Sequence, residues 1–200
     1  MTAGPGTERV QELWRQFPRE VWVVTAADGG RRGGLTCTWF QNASLDPASP
    51  VVLIGLAPHH FTTELVAASR RFAAHLLSTA QVAWAWHFAS TTGRGGDKLA
   101  GYDVTTGLTG TPLLAGCLAR LECQIYSEWL TGDRAYYWAD VVACSTMSPT
   151  DSAPRPLTDQ QLFAQLSADQ RAHLGVQLQA DVALQRQAQA AWRSHLAAPR

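Results

Sequence analysis

Nowhere in these 200 residues does an apolar run exceed strand length, so no segment reads as a membrane-crossing helix. Charge of one sign is equally scarce. Sixteen basic and sixteen acidic side chains are interspersed with no long run of either, which leaves no electrostatic footprint for nucleic acid or an anionic membrane. There is no CxxC spacing. Cys37, Cys117, Cys123 and Cys144 are scattered through strand-like patterns, so buried reduced thiols are expected rather than disulfides or a zinc site. The first residues lack a basic-then-apolar leader, and a cytoplasmic location is expected. Nucleophile triad, phosphate loop and internal repeat are all missing. Gly93 to Lys98 has glycines but not the Gly-x-x-x-x-Gly-Lys-Ser/Thr spacing.

What is present is apolar content of 46% and eight tryptophans, enough for one well-filled domain with large flat surfaces to cover. Thr7 to Gln16 reads as a short amphipathic helix stopped by Pro18. Val21 to Thr25 is a strand by its β-branched and aromatic content, and Asp28-Gly29-Gly30 turns it into a return strand over Leu35 to Phe40. Val51 to Leu56 is a buried strand. A helix capped by Thr62 or Thr63 runs through Arg70, Phe72 to Leu77 returns to strand, and Ser78 to Gln81 opens a helix carrying Trp84, Trp86 and Phe88. Leu118 to Trp129 and Ala135 to Cys144 form a second hairpin around Thr131-Gly132-Asp133. Pro149, Pro154 and Pro156 mark a linker, after which Thr158 and Ser167 start two helices, the second reaching about Ala197. The expected division is a mainly β domain over 1–148 and a linker with a C-terminal helical extension over 149–200, packed on the barrel or on a partner subunit. Short antiparallel hairpins with helices at their edges suggest a small barrel.

The segment Gly34 to Pro47 carries the most information about chemistry. As a regular strand it sends Thr36, Thr38 and Phe40 to one face and Leu35, Cys37 and Trp39 to the other. A face kept small lets a flat aromatic ligand lie on the backbone. His59-His60 invites a metal, but neighbours in extended chain point to opposite faces and no cysteine or carboxylate pair accompanies them, so no metal is expected. His75 and His87, and the tryptophans individually, are expected in the core or at an interface.

Gly34-Leu35-Thr36 through Ser44-Leu45-Asp46-Pro47, preceded by Val23-Val24-Thr25 and its glycine turn, resembles the flavin reductase-like family. So do Phe61 to Leu65, Arg71 to Ser78, Gln81 to Ala89, Gly96 to Gly101, Gly110 to Leu114, Leu121 to Cys123 and Gly132-Asp133, in that order. The resemblance implies an FMN-binding split barrel with a C-terminal helical extension, working as a homodimer. It implies hydride transfer from NADH or NADPH to FMN, with FAD a possible substitute, and delivery of reduced flavin to a monooxygenase or another acceptor. A flavin-binding electron carrier or sensor is the alternative. By the same resemblance Thr36, Cys37, Thr38, Trp39 and Phe40 line the isoalloxazine, and Ser44, Leu45 and Asp46 cover its pyrimidine and ribityl side. His60, Phe61, Thr62 and Thr63 hold the phosphate, while Lys98 and Arg134 lie near flavin or nicotinamide. Arg134 stands where similar proteins often have His, His59-His60 where a Lys or Arg often precedes the Ser/Thr, and His75 where Asn is common. No side chain is expected to act as acid or base, because the flavin carries the chemistry.

Overall fold

The computed structural model describes residues 7–147 and 154–197. Chain order is α1 (Thr7–Trp14), β1 (Trp22–Asp28), β2 (Arg31–Cys37), β3 (Phe40–Asn42), β4 (Val51–Leu56), α2 (Phe61–Ser69), β5 (Arg71–Leu76) and α3 (Val82–Ser90). There follow β6 (Val104–Thr106), β7 (Pro112–Leu114), β8 (Ala119–Leu130), β9 (Ala135–Thr146), α4 (Asp159–Gln165) and α5 (Ala168–Ala197). Seven strands make one antiparallel sheet in the order β2-β1-β5-β8-β9-β4-β3, and β6 pairs with β7 separately.

That order puts β2 and β3 at opposite edges, yet only Thr38 and Trp39 lie between them in the chain. Two residues reach roughly 7 Å when extended, so the sheet has to curl until its edges nearly meet. The result is a half-open barrel whose seam is bridged by Thr38-Trp39. Period-two alternation fills it: Val24 and Ala26, Leu35 and Cys37, Val52, Ile54 and Leu56, Phe72 and Ala74, Ala135, Tyr137 and Ala139 all point inward, and Leu65 and Val66 of α2 plug the interior. A second core lies outside the barrel wall, where Val21, Val23 and Leu77 meet Ala85 and Phe88 of α3 and Leu157, Leu162 and Leu166 around α4.

The single strand expected over Leu35 to Phe40 is therefore two. The crossover flips the alternation, so Phe40 joins Leu35 and Cys37 inside, stacked on Trp22 at 4.2 Å, while Trp39 turns out to solvent. The bare middle of β2 also has another cause than ligand access. A Cβ on Gly33 would come within 3.0–3.3 Å of Thr62, Phe61 and Leu65 in α2, and one on Gly34 within 2.7 Å of Phe88 in α3. Both faces of the strand carry a helix.

The expected boundary at 148/149, and with it Pro149, lies outside the described residues. From Pro154 onward the chain packs back on the barrel: isolated bridges join Ser78 to Pro156 and Glu20 to Thr158, and Leu157 is inaccessible to solvent. Thr158 and Gln161 form a reciprocal capping box on α4. Cys37, Cys117 and Cys123 are buried free thiols, whereas Cys144 is a free thiol exposed on β9.

Candidate functional site

Two cavities flank the seam and α2. The smaller, about 240 Å³, is lined by Arg19, Thr38, Trp39, Gln41, Leu53, Gly55 and Tyr136. Its wall is aromatic: Trp39 lies near-parallel to Tyr136, 22° apart at 6.4 Å, and the Arg134 guanidinium sits 4.6 Å over the Trp39 ring. Gly55 has to stay bare here, because a Cβ would come within 3.0 Å of both rings. Arg19 is fixed at the rim by Asp159, with Nε donating to Oδ2 at 2.9 Å.

The larger cavity, about 520 Å³, has three arginines, Arg31, Arg32 and Arg94, around Phe61 and the loop Gly93 to Asp97. Arg31 and Arg94 each place their guanidinium 5.8 Å from the Phe61 ring centre. Arg32 donates to Asp97, whose carboxyl it holds below the usual range, and Arg94 pairs with Glu64 and donates to the His59 carbonyl at 3.0 Å. Nothing but the Arg31-Arg32 pair after a glycine turn and the Thr92-Gly93-Arg94-Gly95-Gly96 loop announced this cluster in the sequence.

The residues singled out from sequence divide between these places. Thr38 and Trp39 line the smaller cavity and Phe61 the larger. Thr36 donates its hydroxyl to the Ala85 carbonyl of α3 at 2.8 Å, and burial pushes the Cys37 thiol up to about 11. Ser44, Leu45 and Asp46 form a self-contained turn. The Ser44 hydroxyl accepts from the Asp46 N–H at 3.1 Å, the Asp46 carboxylate accepts from Ala48 N–H at 2.9 Å, and Leu45 is fully exposed.

Helix α2 begins at Phe61 with His60 as its cap residue, so neither Thr62 nor Thr63 caps it. Both threonines are buried in its first turn, and the Thr63 hydroxyl oxygen has no partner among the described residues. Lys98 is not a solvated loop charge. It is buried, and its ammonium donates to the carbonyls of Phe88 at 2.9 Å and Thr91 at 2.7 Å, closing the C-terminus of α3. Desolvation lowers its pKa to about 8. His75 is inaccessible to solvent, with Nδ1 2.9 Å from the Val23 carbonyl and Nε2 accepting from Leu114 N–H at 3.1 Å. Burial lowers its pKa to about 4, so the ring is neutral and Nδ1 carries the proton.

The premise that His59 and His60 face apart does not hold at a helix start. Their rings meet edge-on at 4.4 Å, and both Nε2 atoms turn to Asp181 of α5, at 3.0 and 3.7 Å. Burial, seconded by His59, lowers the His60 pKa. Further along, α5 covers the tip of the β8–β9 hairpin. Gln189 donates to Asp133 at 2.8 Å, and a Cβ on Gly132 would fall 2.6 Å from the Ala188 carbonyl. Arg134 donates to the Asp133 carbonyl at 2.8 Å, and its charge is felt by both Cys37 and His60. The hairpin tip thus stands between the seam and the α2 N-terminus.

Among characterised proteins, an NADH-dependent FAD reductase of Streptomyces globisporus is 32% identical over 142 residues, covering 69% of this chain and 76% of that one. The reductase subunit HsaB of a flavin-dependent monooxygenase from Rhodococcus jostii is 30% identical over 140 residues, 70% of this chain and 68% of its own. The solved NADH:FAD oxidoreductase of Streptomyces globisporus superposes with a TM-score of 0.67 at 28% identity, over 79% of this chain and 92% of that one. The match to the flavin reductase like domain model spans residues 14–165, from the end of α1 to the end of α4, and stops before α5. The chain belongs to the flavin reductase-like domain family.

Proposed function

We propose that this protein is a flavin reductase that binds FMN, or FAD, and reduces it with NADH or NADPH. Bound flavin supplies the redox chemistry, accepting hydride from the nicotinamide and passing electrons onward. The observation that carries the reading is the wall of the smaller cavity, where Trp39 meets both Arg134 and Tyr136 at the open seam and Gly55 keeps the backbone clear. An apolar, polarisable face with a fixed cation suits a flat ring that becomes electron-rich when reduced. Arg31, Arg32 and Arg94 give the larger cavity guanidinium donors for the phosphate groups of a nucleotide, which would compete with Asp28, Asp97 and Glu64 for them, and its size falls within the range of small-molecule sites. The N-terminal end of α2, where Phe61 lines this cavity, is the side on which the phosphate is expected.

The chain's own residues position and shield. Trp39 and Tyr136 supply the stacking face, Arg134 sets the charge beside it, and Lys98 fixes the end of α3 from which the Gly93 to Asp97 loop departs. Thr36 ties α3 to β2. Ser44, Leu45 and Asp46 serve as a turn that a second copy of the chain can bring to the site.

That second copy is part of the proposal. The outer face of β4, β8 and β9 carries Leu53, Trp129, Tyr136 and Trp138 in adjacent registers, and Trp129 is 61% exposed. An aromatic face of that kind suits a homodimer interface. A monooxygenase is the acceptor we propose for the reduced flavin, on the strength of HsaB being a monooxygenase's reductase subunit. Free thiols at all four cysteines accord with work in the reducing cytoplasm, and among the described residues no helix is long and apolar enough to cross a membrane.

Arg134 favours one competing reading, an electron carrier or sensor with little nicotinamide activity, since it stands where similar proteins often have His. Visible spectra of the purified protein with FMN or FAD, before and after anaerobic NADH, separate the cases. Flavin bleaching with steady NADH or NADPH oxidation supports the reductase. Stoichiometric flavin that no nicotinamide reduces supports the carrier, and a protein that takes up neither flavin overturns both.

A further inference from the structure

Helix α5 is 30 residues long, roughly 45 Å, and none of its side chains over 168–196 is buried. Val176, Leu178, Leu184 and Leu196 are all more than half exposed. Near its start Leu174 packs on the second core. Beyond that, α5 meets the body through polar and edge contacts: Gln177 to the Ser90 carbonyl, His173 against Trp86, Gln189 to Asp133, and Asp181 beside two histidines. The middle and end of a helix held that way gain little from burial.

We propose that His59, His60 and Asp181 form a binding site for a late first-row divalent cation, Zn²⁺ being the first choice, that clamps α5 to the N-terminus of α2. His59 and His60 are neighbours in the chain, but Asp181 lies 122 residues beyond His59, so no local turn brings it to them. Their ligand atoms all lie within 4.8 Å of one another. The two imidazole nitrogens approach different oxygens of the carboxylate, at 3.0 and 3.7 Å. Zn–N and Zn–O bonds of about 2.0–2.1 Å in a tetrahedron put neighbouring ligands about 3.3 Å apart, so the 3.0 Å hydrogen bond between His59 Nε2 and Asp181 Oδ1 would open only slightly to admit the ion. Two imidazoles and one carboxylate are a ligand set that zinc takes, with the fourth position left for water. Because the ligands sit on the turn that enters α2 and on α5, binding the ion and docking the helix are one event.

The experiment uses the untagged, full-length, metal-stripped protein. Calorimetric titration with ZnCl₂ gives one ion per chain, and Asp181→Asn and His59→Gln each weaken binding at least tenfold. Circular dichroism of both variants confirms that they fold. Hydrogen exchange supplies the second reading: Zn²⁺ slows the amides of α5 at least tenfold in the unaltered protein and leaves them unchanged in Asp181→Asn. Failure to bind Zn²⁺, equal affinity in the variants, or binding that leaves α5 exchange unaltered overturns the proposal. Slow exchange of α5 without any metal, in a dimer, assigns the helix to a partner subunit and also overturns it. None of these readings involves flavin, so they stand or fall apart from the reductase assignment.

Discussion

Inside the barrel, Ile54, Phe72 and Cys123 have no contact with solvent, and each strand contributes every second residue. Along α5 no described side chain is buried, and beyond Leu174, which packs on the second core, its polar contacts are spaced along the helix. The first arrangement draws its strength from apolar area, the second from a few directional polar contacts whose net value is small in water. The division coincides with the family match, which covers residues 14–165 and stops before α5. A packed sheet tolerates little change, whereas a helix lying on the surface can be lost, moved or reassigned at small cost to the body.

Four changes press on that contrast. Phe72→Ala opens a hole in the barrel and lowers stability by roughly 3–5 kcal/mol in denaturant unfolding; a loss near 1 kcal/mol shows the interior to be loosely packed. His75 provides a test by pH. Its folded pKa, about 4, lies below the ordinary 6.5, so between those values the unfolded chain binds the extra proton. Stability therefore falls as pH drops from about 6.5 to about 4, by roughly 3 kcal/mol in all, with no further loss from this group below that. In His75→Asn this component of the slope disappears. Removing residues 167–200 changes the unfolding free energy of the remaining body by no more than roughly 1–2 kcal/mol in metal-free buffer; a collapse of the fold on truncation shows that α5 is core. Gly132→Ala introduces strain from its φ of 81° and a clash with the Ala188 carbonyl, costing about 1–2 kcal/mol in the intact chain. In the truncated chain only the backbone part, about 1 kcal/mol, persists.

Most elements could be read directly from residue pattern. Val51–Leu56 runs as an uninterrupted apolar segment, the Asp28-Gly29-Gly30 turn has positive φ at both glycines, and Ser167 and Gln170 cap α5 reciprocally. The break at Thr38-Trp39 could not be read, because nothing local in Thr-Cys-Thr-Trp-Phe says that the chain is about to leave one sheet edge for the other. Period-two reasoning carried across it assigned Phe40 and Trp39 to the wrong faces. The strands β6 and β7 are three residues each and too short to leave a pattern. The contacts of individual site residues are harder to read from sequence than the elements. Lys98 was expected near flavin or nicotinamide, and nothing in Gly95-Gly96-Asp97-Lys98 shows that its ammonium meets carbonyls at the end of α3. Asp181 sits in a helix of Gln, Ala and Leu, and the sequence holds no hint of its partners 122 residues upstream.

The two-residue bridge at Thr38-Trp39 has a kinetic corollary. The β1–β2 and β8–β9 hairpins can each form from neighbours in the chain, but β3 and β4 have no place to dock until β9, some ninety residues later, is there to receive Val51–Leu56. Closure of the barrel is thus a late, long-range event, slow for the reason that all non-local pairings are slow. Once made, it is also hard to undo piecemeal: prising β3 from β4 pulls on Cys37 through two residues, so the two edges of the seam should exchange their amide protons at kindred rates although they are never bonded to each other.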